Sequence, residues 1–269
     1  MQSIMYNLEE GKEKILSLVA EYVKEKSDRK SWSKGEDWVE YSGPNCDDKE
    51  FVAAIDNLLD GWFIFGKKGR EFELEFPKHL GMDYGALVNS GSSANLLMVA
   101  AAASRNLYDL PKGSKFITPV FVDVELPSVN LDLDKVEEKL EEDPSIKGII
   151  FAHVLGNPPD MDRLMGLVDK YDLIFLEDAC DALGSYYDGR KLGSYGHMST
   201  CSFFPAHHMT LGEGGFIATN SNKARTVLAS VRDWGRGCYC NSMKPGSVTG
   251  GTACGNRFKN WLPGMPEAI

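Results

Sequence analysis

The chain has 269 residues, 43% of them hydrophobic and 25% charged, with a formal net charge of −10. That length can bury one large core, and the acidic balance argues against a nucleic-acid or anionic-membrane surface. No apolar run is long enough to span a bilayer, and Met1 to Glu10 lacks the basic and apolar stretches of a signal peptide. A cytoplasmic protein is expected, with its six cysteines serving as thiols or ligands rather than disulfides.

Ile15, Leu18, Val19, Tyr22 and Val23 recur at helical spacing and predict an amphipathic first helix. Residues 27–49 are polar and read as an irregular arm. Trp32 and Trp38 are expected to pack on its surface, and Cys46 has no assigned role. A second helix presents Phe51, Val52, Ile55, Leu58 and Leu59 and stops near Gly61, where an aromatic turn runs to Gly66. The apolar pair Leu87-Val88 then meets Asn89-Ser90-Gly91-Ser92-Ser93, and a helix opens with Leu96, Leu97, Val99 and Ala100. Free N–H groups and the dipole at such a start favour a phosphate, and Ser92 and Ser93 add hydroxyl donors. An ordinary N-cap is the plainer alternative.

Two strand-like runs, Lys115–Pro119 and Val120–Glu125, follow one another directly. Val136 and Leu140 mark a helix after Asp134. Gly148–Ala152 reads as a buried strand ending at His153, which on its own is a satisfied strand-end histidine. A helix near Leu164, Leu167 and Val168 leads to the strand Leu173–Leu176, which ends in Glu177-Asp178-Ala179-Cys180-Asp181. This alternation predicts an α/β fold, a mostly parallel sheet covered by helices.

The run Ser199–Phe204 stops at Pro205. The pair His207-His208 follows, then Gly212-Glu213-Gly214-Gly215, then the strand Phe216–Thr219. Strand, polar turn and strand place the histidines at a sheet edge, where ligands gather in α/β proteins. Downstream stand Cys238, Cys240 and Cys254, with fifty-seven residues separating Cys180 from Cys238. Four thiolates can hold a [2Fe–2S] cluster. The Cys-x-Cys step is tighter than usual zinc spacing, and buried free thiols are the ordinary alternative.

Ser202, Phe203, Pro205 and Gly212 to Gly215 resemble the lysine loop of the DegT/DnrJ/EryC1/StrS sugar aminotransferases, Ser-Phe-x-Pro-x-Lys followed by Gly-Glu-Gly-Gly. His207 stands at the lysine position. Imidazole makes no stable covalent link to the pyridoxal phosphate aldehyde, yet it moves protons near neutral pH. Within that superfamily the change marks deoxysugar 3-dehydrases, which hold free pyridoxamine phosphate. The resemblance implies the large domain of the fold-type I pyridoxal-phosphate transferases over residues 50–269, after an N-terminal helix and arm over 1–49. It implies a phosphate cup of Gly91, Ser92 and Ser93, with Ser202 as an extra ligand. Asp178 would pair with the pyridine nitrogen, Asp181 and His153 would lie beside the cofactor, and His207 would be the catalytic acid–base. His208 is left as a loop residue. Two family features are not found in the sequence: a βα unit carrying the aromatic that stacks on the ring, and a small domain after Ile269.

The cysteines further resemble those of the CDP-4-keto-6-deoxyglucose 3-dehydrases, Cys-x57-Cys-x-Cys-x7-Cys, with the third interval six residues longer here. This implies a [2Fe–2S] cluster on Cys180, Cys238, Cys240 and Cys254, with Cys201 as core. It implies C3 deoxygenation of CDP-4-keto-6-deoxyglucose for the 3,6-dideoxyhexoses of lipopolysaccharide. An NAD(P)H-dependent flavin/iron–sulfur reductase would be a partner, and the protein a homodimer. Two alternatives stand beside it. One is a cluster-free pyridoxamine-dependent sugar 3-dehydrase or an aminotransferase, the latter opposed by the missing lysine. The other is a non-catalytic nucleotide-sugar-binding fragment.

Overall fold

The computed structural model describes residues 7–28, 32–40, 42–61, 63–104, 107–108, 110, 118–233 and 235. The chain divides into two compact units, Met1–Lys68 and Gly69–Ile269. In the first, helix α1 (Leu8–Asp28) lies against helix α2 (Asp48–Leu59). Asp47 caps α2, and Glu50 returns the bond to the Asp47 N–H, a reciprocal capping box. Lys12 bridges to Asp56 and Asp60 across the pair. The predicted apolar stripe has the right spacing but is thinly covered: Val23 is buried, whereas Leu18 and Tyr22 are exposed. Trp32 and Trp38 are also exposed rather than packed.

The second unit opens with α3 (Lys67–Leu80), a helix the sequence reading passed over. Its Phe72 and Phe76 stack at 4.8 Å, and Phe76 meets Phe203 and Phe216 edge-on at 5.3 and 5.0 Å. Such pairs add about 1 kcal/mol each beyond burial. Strand β1 (Tyr84–Val88) and helix α4 (Gly91–Ala102) follow. The run from Val120 forms no strand as far as Asp123, whose carbonyl accepts from the Asp132 N–H at 3.1 Å. Only β2 (Val124–Glu125) pairs, with β3 (Asn130–Leu131). Then come α5 (Leu133–Glu142), β4 (Gly148–Ala152), a 3-10 turn (Val154–Gly156), α6 (Met161–Tyr171) and β5 (Ile174–Asp178). A short hairpin, β6 (Tyr186–Tyr187) and β7 (Arg190–Lys191), turns on Asp188-Gly189, both with positive φ, as a two-residue turn between twisted strands requires. Strands β8 (Met198–Ser202) and β9 (Gly215–Thr219) and helix α7 (Asn222–Arg232) complete the described part. Ser90, Asp132, Asp160 and Ser221 cap α4, α5, α6 and α7 with their side chains, each cap contributing about 1 kcal/mol.

The main sheet has the order β1-β9-β8-β5-β4. Four strands run the same way and β9 alone is reversed, pairing antiparallel with β1 and β8. Helices cover both faces. Met98 of α4 and Val227 and Leu228 of α7 pack with Leu176, Met198 and Ile217 on one face. On the other, α5 and α6 pack with Ile149, Phe151 and Phe175, and α3 packs with Phe203 and Phe216. This is the predicted α/β architecture. Among the described residues, no helix is long and apolar enough to cross a membrane.

Candidate active site

Strands β1, β4, β5 and β8 end on the same side of the sheet, and the candidate residues follow these ends. After β1, Ser90 begins α4, and its hydroxyl accepts from the Ser93 N–H at 3.1 Å. The N–H groups of Gly91 and Ser92 precede the first intrahelical acceptor and are free to hold an anion. Gly91 has to be glycine. A Cβ there would lie 2.6 Å from the Ser202 Cβ, 2.8 Å from its hydroxyl and 3.3 Å from the Cys180 sulfur. The α4 start, the end of β8 and the turn after β5 therefore meet in one cup.

Gly215 makes that meeting possible. It stands opposite both Val88 and Ser202 in the ladder, and a Cβ on it would sit 2.2 Å from the Ser90 carbonyl oxygen. Backbone cannot yield as a flexible side chain can. Gly215→Ala is expected to cost about 2 kcal/mol and lower the melting temperature by roughly 5 °C. Differential scanning calorimetry checks it, and an unchanged melting temperature would contradict this packing.

The pleat of β5 separates its two carboxylates. Ile174 and Leu176 face α4 and α7, and so does Asp178; Phe175 faces α5 and α6, and so does Glu177. Asp178 accepts from Asn95 Nδ2 at 2.7 Å and from the Cys180 N–H at 3.0 Å. Glu177 is fully buried and serves the scaffold. It accepts from the Gly193 N–H at 2.9 Å and the Gly196 N–H, and pairs with His153 Nε2 at 3.0 Å.

His153, predicted to lie beside the cofactor, has a fully buried side chain between Glu177 and the Phe151 ring, and its Nδ1 has no partner among the described residues. Strand alternation is the reason: a residue beyond β4 on the Phe151 face turns away from the cup.

The loop after β8 carries His207. It closes on itself through Leu211 N–H to the Phe203 carbonyl (3.0 Å), Phe203 N–H to the Gly214 carbonyl (2.9 Å) and His207 N–H to the Phe204 carbonyl (2.9 Å). His207 Nδ1 lies 3.1 Å from Asp181 Oδ1, and the imidazole is one-fifth exposed. The Asp181 side chain beside it is half exposed. His208 is exposed.

Burial, followed by the Asp178 charge, pushes the Cys180 thiol far above the ordinary thiol range, and burial raises Cys201 to about 12. Cys238, Cys240 and Cys254 lie outside the described residues. Among the described residues, no group of three or more His, Cys, Asp or Glu is arranged to hold a metal. Of the four predicted cluster ligands, only Cys180 lies among the described residues. The arrangement does suit a phosphorylated pyridine: N–H donors and Ser202 for the phosphate, a carboxylate for the ring nitrogen and an imidazole for protons. Asn95 and Thr200 belong to this site and were missed in the sequence; one polar residue in an apolar helix and one in a strand carry no motif.

The profile described as the DegT/DnrJ/EryC1/StrS aminotransferase family matches residues 45–108 and 114–257. The chain belongs to this family. Family members similar to it include the lipopolysaccharide biosynthesis protein RfbH of Salmonella typhimurium, 37% identical over 95% of this chain and 61% of that protein. The dTDP-4-dehydro-2,6-dideoxy-D-glucose 3-dehydratase of Saccharopolyspora spinosa is 35% identical over 96% of this chain and 58% of its own length. The chain thus spans about three-fifths of the length of these relatives. Among solved structures, GDP-4-keto-6-deoxymannose-3-dehydratase with a trapped PLP-glutamate geminal diamine superposes with a TM-score of 0.73 at 29% identity, covering 85% of this chain and 64% of that one. The E. coli enzyme with bound hydrated PLP gives 0.72 at 30%, with the same coverage. The DegT-family chain described here has the fold of the fold-type I pyridoxal-phosphate-dependent enzymes.

Proposed function

We propose that this chain serves a pyridoxamine-phosphate-dependent 3-dehydratase acting on a nucleotide-linked 4-keto-6-deoxyhexose. The observation that carries this reading is His207, an imidazole with Nδ1 3.1 Å from Asp181 Oδ1 where the family motif has its lysine. Similarity to enzymes named as sugar 3-dehydratases supports it. When bound, the cofactor supplies an amine for the C4 ketone and a ring that accepts electrons. Gly91, Ser92, Ser93 and Ser202 hold its phosphate. Asp178 holds the ring nitrogen. His207 moves the proton that must shift as the C3 hydroxyl leaves, and the absence of lysine keeps the amine free for the sugar.

The cysteine spacing favours a finer reading, the cluster-bearing branch acting on CDP-4-keto-6-deoxyglucose with a flavin/iron–sulfur reductase as electron donor. We also propose a homodimer, which sedimentation equilibrium tests. One preparation separates the chemical readings. The protein is purified without oxygen, given iron, sulfide and pyridoxamine phosphate, and its spectrum recorded. A pyridoxamine band is expected. Visible charge-transfer bands lost in Cys238→Ser would establish the cluster branch, and their absence leaves the cluster-free dehydratase. No pyridoxamine band would overturn the proposal in favour of a non-catalytic fragment. With the band present, incubation with CDP-, GDP- and dTDP-linked 4-keto-6-deoxyhexoses, read by mass spectrometry for a product lacking the C3 oxygen, identifies the nucleotide.

A further inference from the structure

Four groups around Asp178 form a hydrogen-bond chain with one consistent direction. Asn95 Nδ2 donates to Asp178 Oδ2 at 2.7 Å. The reverse amide orientation would press a carbonyl oxygen against a carboxylate oxygen, so it is excluded. Asn95 Oδ1 must then be an acceptor, and the Thr200 hydroxyl donates to it at 2.8 Å. Thr200 has a single proton, and it is committed. Its oxygen can only accept, and the group facing it is the Cys180 sulfur at 4.0 Å. Cys180 closes the circuit through its own N–H, which donates to Asp178 Oδ1 at 3.0 Å.

The framework behind this circuit is rigid. Thr200 is 1% exposed and stands directly opposite Asp178 in the parallel β5–β8 ladder. Asn95 lies one turn beyond Gly91 on α4, the helix whose start forms the anion cup. One helix thus touches both ends of the site, its first residues at the cup and Asn95 at the carboxylate.

Resting on the cofactor reading above, we infer that Asn95 and Thr200 are positioning residues that fix the direction of the Asp178 carboxylate and its spacing from the phosphate cup. Neither needs to touch the cofactor. Asn95 acts on Asp178 directly, and Thr200 acts through Asn95. Thr200→Val keeps the volume and removes the donor. Thr200→Ser keeps the donor and removes a methyl. Asn95→Ala removes the bond to Asp178 itself.

The test is titration of the purified chain and its variants with pyridoxamine 5′-phosphate, following calorimetric affinity and the circular dichroism of the bound cofactor band. Thermal melts without cofactor establish that each variant is folded. Asn95→Ala and Thr200→Val are expected to raise Kd about tenfold and to weaken the dichroic band, since one hydrogen bond to a charged group is at stake. Thr200→Ser is expected to stay within about twofold of the parent on both measures. Parent-like affinity and dichroism in Asn95→Ala and Thr200→Val, with Asp178→Asn still impaired, would overturn the positioning role and leave the cofactor reading standing. A Thr200→Ser as impaired as Thr200→Val would also overturn it, by showing that packing and not the hydroxyl matters. If the parent chain binds no pyridoxamine phosphate, both the cofactor reading and this role fall.

Discussion

Replacing His207 with lysine is expected to turn a chain that holds pyridoxal phosphate reversibly into one that attaches it covalently. The family motif has its lysine at this position, and the loop around it is closed by backbone bonds at Phe203, Phe204 and Leu211 that make no use of the imidazole. The substitution therefore changes the reacting group with little effect on its support. A lysine amine condenses with the cofactor aldehyde; an imidazole cannot. Borohydride reduction of His207→Lys incubated with pyridoxal phosphate should leave an adduct on the peptide containing residue 207, seen by mass spectrometry, and the parent should show none there. The same variant should lose sugar dehydration by about a thousandfold, the usual scale for removing a positioned acid–base group. A variant that forms no adduct, or that dehydrates sugar like the parent, would contradict the assignment of His207.

Asp178→Asn has the second largest expected effect. The change is isosteric, but it places a second amide among groups already arranged to donate. Asn95 Nδ2 and the Cys180 N–H both point at this side chain, and an amide can accept from only one side. One donor is left facing another, at a cost of about 1–3 kcal/mol. On the proposed assignment, the ring nitrogen would also lose the negative charge that keeps it protonated and electron-accepting. Cofactor affinity should fall at least tenfold, and dehydration at saturating cofactor should fall by a further factor of about a hundred or more. Calorimetry measures the first and steady-state turnover the second. Retained turnover would remove Asp178 from the ring-nitrogen role.

Alternation of apolar runs made the strands and helices on either side of β5 legible, because burial imposes a period that survives in sequence. The glycines and serines of the cup were legible as a motif. Helix α3 could have been read from Phe72, Phe76 and Leu80 at four-residue intervals, but its charged filling and Pro77 obscured the pattern. The sequence placed Glu177 and Asp178 side by side and His153 at a strand end. It did not say that the pleat sends Glu177 and His153 into the scaffold and Asp178 into the cup. Asp181 and His207 were both recognised as site residues, but their proximity was not, since a turn must fold back before the two meet. Asn95 and Thr200 were illegible for a similar reason. Asn95 lies 83 residues from Asp178 and 105 from Thr200, and only the stacking of α4 on β5 and β8 makes them neighbours.

The reversed strand β9 has a consequence for how such a protein can change its chemistry. Because β9 pairs directly with β8, the segment from Phe203 to Gly214 is a local excursion between adjoining, hydrogen-bonded stems at Ser202 and Gly215, with no crossover to rebuild. On the proposed assignment, the proton-moving group would be mounted on an exchangeable tip whose stems are paired in the sheet. Swapping that tip between tethering and proton-moving versions leaves the rest of the sheet as it was, so new reactivity can arise there without a new topology.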